Sequence, residues 1–123
     1  HRAVTAALER SLTEGGTPPL VGCHASHVYR SGASLYFTVL ARQRRGGELE
    51  QWREAKAAAS EAIVSAGGTI THHHAVGRAH VPWLEHEVGE LGLATMRAVK
   101  DRLDPAGIMN PGKLVPPADA RSG

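Results

Sequence analysis

Apolar residues recur every three or four positions in three parts of the chain, residues 1–14, 48–66 and 82–103. This spacing places apolar side chains on one side of an α-helix and therefore predicts three helices. Glycine pairs end the first two segments, and Asp104-Pro105 ends the third because the residue before a proline disfavours helical geometry. The predicted apolar stripe is Leu49, Trp52, Ala59, Ile63 and Ala66 in the second helix, and Leu84, Val88, Leu91, Thr95, Val99 and Leu103 in the third.

The β-branched and aromatic run "LYFTVLA", residues 35–41, predicts a strand. Phe37 falls on its core face and Tyr36 on the opposite face, because successive side chains alternate. The extended run "TPPLVGCHASHVY" precedes it, separated by the short glycine-containing link "RSGAS", so the two runs are predicted to form an antiparallel pair. A further short strand is predicted over "TITHHH", residues 69–74.

This order of elements predicts an α+β fold, in which a small antiparallel sheet carries two long helices packed on one face. At 123 residues the chain has room for one small domain, which we expect over residues 1–115. Residues 116–123 are predicted to form a disordered tail. The sheet face that bears Tyr36 would lie open to water unless a cofactor or another domain covered it.

Composition excludes several functional classes. The 41% hydrophobic and 21% charged content is that of a folded protein, and no apolar run approaches the roughly 20 residues of a membrane span. Arg42, Arg44 and Arg45 form a basic cluster without interleaved aromatics, so we expect a solvated turn and no nucleic acid partner. The lone Cys23 favours a reducing, cytoplasmic compartment.

Three consecutive histidines, His72, His73 and His74, are the strongest chemical signal in the chain. Metal ligation, acid–base chemistry and a plain polar loop are all open readings, whereas an internal run of three is not typical of a purification tag. On a strand His72 and His74 share one face and His73 points to the other, so the three rings do not converge on one ion without a kink. Geometry thus favours proton chemistry over a metal.

Three segments carry a family resemblance. "MRAVKDRLDPAGIMNPGKL", residues 96–114, resembles the closing segment of FAD-linked oxidases of the vanillyl-alcohol oxidase type. "SHVYRSGASLYFTV" and "GGTITHHHAVGRAHVPWLEHEVGELG" narrow the resemblance to alkyldihydroxyacetonephosphate synthase-like enzymes of that superfamily. One departure is Ala75, where the family pattern after the histidines has glycine.

The resemblance implies a ferredoxin-like C-terminal substrate or cap domain, inactive as an isolated fragment, of an enzyme whose absent N-terminal domain binds most of the FAD. Its reaction would exchange the acyl group of acyl-dihydroxyacetonephosphate for a fatty alcohol through a flavin N5 adduct. The family's catalytic tyrosine corresponds to Tyr36, and the imidazoles of His72, His73 and His74 would share its proton.

The same resemblance implies further site residues. His74, Asn110 and Lys113 would contact the flavin, and Arg78 would bind the substrate phosphate, although a turn-capping role for the "NPGK" segment and a surface role for Arg78 stay open. His24 and His27, on the first strand, are read either as supporting partners of the site or as buried structural histidines.

Related enzymes that oxidise D-2-hydroxy acids carry two histidines and a glutamate that hold a divalent metal. The aligned positions here hold Tyr29, Tyr36 and His73. Tyrosine is a poor metal ligand because its phenol must lose a proton with an ordinary pKa of about 10. No metal is therefore predicted.

Two rival functions stay open: an FAD-dependent dehydrogenase or oxidase of a D-2-hydroxy or related organic acid, and a non-catalytic binding module. The expected partners are the FAD-binding domain of the same protein and a lipid-like small-molecule substrate. A homodimer and a peripheral contact of the full enzyme with the inner face of the membrane are further options. Ala- and Arg-rich usage suggests a bacterial source.

Overall fold

The computed structural model describes residues 1–71 and 76–115. In chain order its elements are α1 (Arg2–Glu14), β1 (Leu20–Tyr29), β2 (Gly32–Leu40), α2 (Glu48–Ser65), a 3₁₀ turn (Val81–Trp83) and α3 (Leu84–Leu103). β1 and β2 form a two-stranded antiparallel sheet. The predicted α+β class is confirmed, and so are the three helices and the hairpin.

The chain divides into two compact units, residues 1–68 and the remainder. The prediction of one domain over residues 1–115 stays a prediction, and the expected tail, residues 116–123, lies outside the described residues.

In the first unit, α1 supplies the apolar core. Its buried residues follow the helical repeat: Val4, Ala7, Leu8 and Leu12. The helix packs against α2 and also contacts β1. Within this unit the short helix α1 therefore contacts both α2 and the sheet.

The buried side-chain amide of Gln51 connects the segments next to α1 and α2. Nε2 of Gln51 donates to Oγ1 of Thr17 at 2.7 Å and to the carbonyl oxygen of Arg42 at 2.8 Å. Its Oε1 accepts from the backbone nitrogen of Arg44 at 3.1 Å. Thr17 Oγ1 in turn donates to the carbonyl oxygen of Leu12, at the end of α1. One side chain thus joins the ends of α1 and β2 to the start of α2.

The predicted apolar stripe of α2 is wrong at its beginning. Leu49 is 59% exposed and Trp52 is also exposed, whereas the buried residues of α2 are Gln51 and Ser60. The inward face begins at Gln51 because its amide finds partners for both donors and for its oxygen, which removes the cost of burying a polar group.

In the second unit, a small core joins the first half of α3 to the second. Val76, Leu84 and Leu93 are buried together, with Val81 and Met96 packed against them. At about 100° per residue, the nine positions between Leu84 and Leu93 would put them on opposite sides of a continuous helix. They meet because Gly89 leaves helical geometry, with φ 71° and ψ 169°.

The break at Gly89 overturns the stripe predicted for α3. Leu84 is buried as expected, but Leu91 is 80% exposed, and Val99 and Leu103 are exposed as well. The stripe assumed one unbroken helix, whereas the positive φ at a glycine rotates the second half of the helix.

Residues 69–71 do not form the predicted strand. The backbone nitrogen of Ile70 donates to the carboxylate of Glu87, and Thr69 Oγ1 donates to the same carboxylate at 3.5 Å. The backbone nitrogen of Ile70 is therefore bonded to the Glu87 side chain of α3 and is not available to a neighbouring strand. The rest of the predicted strand, residues 72–74, lies outside the described residues.

Replacing Gln51 with alanine should lower the free energy of unfolding by about 1–3 kcal/mol, because the buried hydroxyl of Thr17 and the part-buried backbone groups of Arg42 and Arg44 lose their partner. Urea unfolding of the purified chain, followed by circular dichroism, measures this. The matched control is Gln43→Ala, at an exposed position, which should change stability by no more than about 0.5 kcal/mol. Equal effects of the two substitutions would contradict the assigned role of Gln51.

Candidate functional site

A bulge in β1 decides which side chains share the outer face of the hairpin. The register pairs Ala25 with Leu35 and His27 with Ser34, so Ser26 is the extra residue. Ser26 Oγ lies 3.1 Å from His27 Nδ1 and 3.3 Å from Ser34 Oγ. His24 and His27 are an odd number of residues apart and would face opposite ways in a regular strand, but the bulge turns both to one face.

Tyr36 lies on that face, as the sequence analysis predicted. It is 55% exposed, while Phe37 on the opposite face is half-buried. His24 is its direct cross-strand partner, and the two ring centroids are 5.3 Å apart with the ring planes 32° from each other. The phenol of Tyr36 is thus accessible and flanked by an imidazole.

A second ring pair extends the same face towards the hairpin turn. The rings of His27 and Tyr29 stack with centroids 6.3 Å apart and an interplanar angle of 9°. Tyr29 pairs with Gly32 in the register and is exposed. The outer face therefore carries two phenols and two imidazoles, and we call these four residues, His24, His27, Tyr29 and Tyr36, the ring face. His24 and His27 are exposed, so the reading of them as buried structural histidines is wrong.

The predicted histidines His72, His73 and His74 lie outside the described residues, as does Ala75. Their predicted roles in sharing the proton of Tyr36 and in contacting the flavin therefore stay predictions.

Arg78 and the "NPGK" turn, predicted separately as site residues, lie side by side. Nη2 of Arg78 donates to the carbonyl oxygen of Pro111 at 3.4 Å. A Cβ atom placed on Gly112 would lie 3.8 Å from Nε of Arg78, and Gly112 has a φ of 71°, which favours glycine. The contact joins residues 33 positions apart in the sequence.

The turn itself is tight, and it exposes its polar side chains. The backbone nitrogen of Lys113 donates to the carbonyl oxygen of Asn110 at 3.2 Å, and Asn110 has a φ of 46°. Asn110 and Lys113 are both exposed. With Arg78 they form a cationic, hydrogen-bonding surface within the second unit, suited to an anionic or amide-bearing ligand.

A buried carboxylate holds this turn to the end of α3. Asp104 accepts from the backbone nitrogens of Ile108 at 3.1 Å and Met109 at 2.9 Å, and it forms an ion pair with Lys100. The hydrogen bond from Lys100, followed by those from the two amides, holds the pKa of Asp104 below its usual value, although burial acts in the opposite direction. Asp104 is therefore a charged anchor in the folded protein.

Two features of the site were not predicted from the sequence. From the sequence, Asp104 is predicted only to end a helix. Ile108 and Met109 follow it by four and five residues. This spacing was the available signal that the carboxylate could accept hydrogen bonds from their amides. The bulge left no signal, because Ser26 sits in a run that is regular in composition.

Neither a metal cluster nor a membrane-spanning helix is present in the described part of the chain, residues 1–71 and 76–115. No group of three or more His, Cys, Asp or Glu residues is placed there to hold an ion, and no helix there is long and apolar enough to cross a membrane. The prediction of no metal stays a prediction, because the three consecutive histidines lie outside that part.

Comparison with known proteins gives a family match over nearly the whole chain. The family model of FAD linked oxidases, C-terminal domain, matches residues 1–114. The chain is 40% identical to alkyldihydroxyacetonephosphate synthase of Trypanosoma brucei brucei over 115 residues, which are 94% of this chain and 19% of that protein. The predicted resemblance is confirmed.

Two further relatives show which kinds of enzyme the chain resembles. The synthase of Dictyostelium discoideum is 37% identical over 107 residues, which are 87% of this chain and 18% of that protein. The mitochondrial cytochrome-linked D-lactate dehydrogenase of Arabidopsis thaliana is 50% identical over 54 residues, which are 44% of this chain and 10% of that protein. The chain thus spans about a fifth of the length of the synthases that it matches.

Replacing Asp104 with asparagine should destabilise the chain at pH 6 and less at about pH 2.5. Because the pKa of Asp104 is depressed in the folded state, its contribution is fully present above the ordinary value of about 3.9 and is lost as pH falls through the lower folded value. Urea unfolding of wild type and Asp104→Asn at both pH values measures the narrowing difference. Asp101→Asn, at an exposed position of α3, is the control; a wild-type minus Asp104→Asn difference independent of pH would contradict the role.

Proposed function

This chain belongs to the family of FAD-linked oxidase C-terminal domains, and from that premise we propose that it is the substrate-side domain of an alkyldihydroxyacetonephosphate synthase-like enzyme. The enzyme would exchange the acyl group of acyl-dihydroxyacetonephosphate for a fatty alcohol. The synthases that match 94% and 87% of the chain support this choice.

The observation that carries the proposal is the open ring face. An accessible phenol, Tyr36, stands beside an imidazole, 5.3 Å between ring centroids, on a sheet face exposed in this chain. Membership of the family implies FAD, and an exposed face of flat rings and protic groups fits a planar heteroaromatic ring such as isoalloxazine. Most of the FAD would be held by an N-terminal FAD-binding domain, without which this chain would be inactive.

Tyr36 would move the proton that the reaction requires. Tyr36 would take a proton from C1 of acyl-dihydroxyacetonephosphate as the C1–O bond to the acyl group breaks. It would return a proton to C1 when the C1–O bond to the alcohol forms. The proton of the alcohol ends on the released fatty acid, so the exchange balances without net redox. When bound, FAD would supply an electron-accepting ring that stabilises the three-carbon unit during the exchange.

The histidines His72, His73 and His74 would share and return the proton of Tyr36, and His74 would also contact the flavin. Histidine suits this work because its ordinary pKa lies close to neutral pH. Asn110 and Lys113 would contact the edge of the flavin from the exposed turn.

Arg78 would bind the phosphate of the substrate. A guanidinium has five N–H donors, and the hydrogen bond from Nη2 to Pro111 holds its orientation while other donors stay available. Paired N–H donors match phosphate oxygens. The lipid-like substrate would bring a cytoplasmic enzyme to the surface of a membrane.

A second candidate function is the oxidation of a D-2-hydroxy acid, which the 54-residue match to a D-lactate dehydrogenase favours. Product analysis of the full-length protein separates the two functions. Hydride removal from a hydroxy acid bleaches the flavin, whereas the exchange reaction leaves the flavin oxidised and forms an ether product from labelled fatty alcohol. A non-catalytic binding module would give neither result.

In the full-length protein, replacing Tyr36 with phenylalanine should lower kcat for ether formation by about 100-fold or more, because the acid–base group is lost while the ring remains. Incorporation of labelled fatty alcohol measures this, with flavin content checked from the absorbance spectrum. Tyr29→Phe makes the same chemical change on the same face and should alter kcat less than about threefold. Full activity of the Tyr36 variant would remove the catalytic role.

In the same protein, replacing Arg78 with methionine should raise the KM for acyl-dihydroxyacetonephosphate about tenfold or more, because a hydrogen bond between charged groups is lost. The change in kcat should be smaller. Initial rates over a range of substrate concentrations measure both constants. Arg53→Met is the control, because Arg53 lies exposed on α2, 3.7 Å from Glu50 in an ion pair. An unchanged KM would exclude phosphate binding by Arg78.

A further inference from the structure

His24 is the side chain that stands directly across the sheet from Tyr36. The register places the two residues opposite each other, and their rings lie 5.3 Å apart between centroids. The next cross-strand pair along this face is Gly22 with Thr38, so Gly22 adds no side chain on that side of His24. Of these β1 residues, His24 is therefore the one whose side chain contacts the phenol ring of Tyr36.

We propose that His24 is a positioning residue, whose ring packs against the ring of Tyr36 and holds the phenol in the orientation that the reaction uses. This inference rests on the proposed function and adds to it a residue that acts through Tyr36 and not on substrate.

The need for such a residue follows from the exposure of Tyr36. A tyrosine that is 55% exposed on a sheet face has freedom to change rotamer, and each reorientation moves the phenolic oxygen by several ångströms. A misplacement of about 1 Å lowers rates strongly in enzymes generally. A cross-strand ring restricts this freedom, since such pairs are the unit of side-chain interaction in antiparallel sheets.

The bulge at Ser26 supplies a matched comparison within the same strand. His27 shares the face of His24, but it lies opposite Ser34 and stacks on Tyr29 instead of Tyr36. Both histidines are exposed on the same face of the same strand. They differ in the ring that they contact and in the contact of His27 with Ser26 Oγ.

The test compares four variants of the full-length flavoprotein with wild type: His24→Ala, His24→Phe, His27→Ala and Tyr36→Phe. His24→Ala should lower kcat about threefold to tenfold, the range that the free energy of an aromatic pair converts to, and change KM less than twofold. His24→Phe keeps a flat ring and should restore kcat to within about twofold of wild type. His27→Ala should lower kcat less than His24→Ala does, because the ring of His27 contacts Tyr29 and not Tyr36. Flavin content and Tm confirm that each variant is folded.

Three results would overturn the inference: wild-type kcat in His24→Ala, no rescue by His24→Phe, or an equal loss in His27→Ala. If wild type makes ether product, Tyr36→Phe does not, and His24→Ala matches wild type, the inference is wrong and the proposed function stands. If wild type instead bleaches its flavin with a D-2-hydroxy acid, the proposed function is wrong, and the same variants are ranked by that bleaching rate.

Discussion

One inserted residue determines the chemistry that the hairpin offers. Without the bulge at Ser26, His27 would point to the face of Phe37 and Tyr29 would follow it, because both lie beyond the insertion. With the bulge, two imidazoles and two phenols meet on the open face in two ring pairs. Ser26 stabilises the irregularity through its contacts to His27 and Ser34, so the disrupted ladder keeps polar partners.

Much of the fold could be predicted because local patterns determine it. The bounds of α1 and α2, the hairpin and the face of Tyr36 all follow from periodicity, glycine pairs and a short link. The buried face of α2 could not be predicted, since Gln51 is polar and is buried only because Thr17, Arg42 and Arg44 bond its amide group. The stripe of α3 failed for a different reason: a single glycine at positive φ rotates the second half of the helix.

The sequence predicted the site residues separately, and the structure brings only some of them into contact. Arg78 and the "NPGK" turn were found by resemblance, but their contact depends on a loop that no periodicity describes. The pairing of His24 with Tyr36 depends on the register, which a hydrophobic pattern does not determine to the residue in so short a sheet.

The closing segment explains why the resemblance identifies a family more readily than a reaction. Lys100, Asp104 and the amides of Ile108 and Met109 satisfy one another, and Gly107 and Gly112 supply the positive φ angles of the turn. These bonds form within the chain and involve no substrate atom, so any enzyme that uses this segment needs the same residues. The open ring face is different, because its side chains are exposed and little in the fold requires them to be tyrosine or histidine. Differences in reaction between relatives should therefore lie on that face.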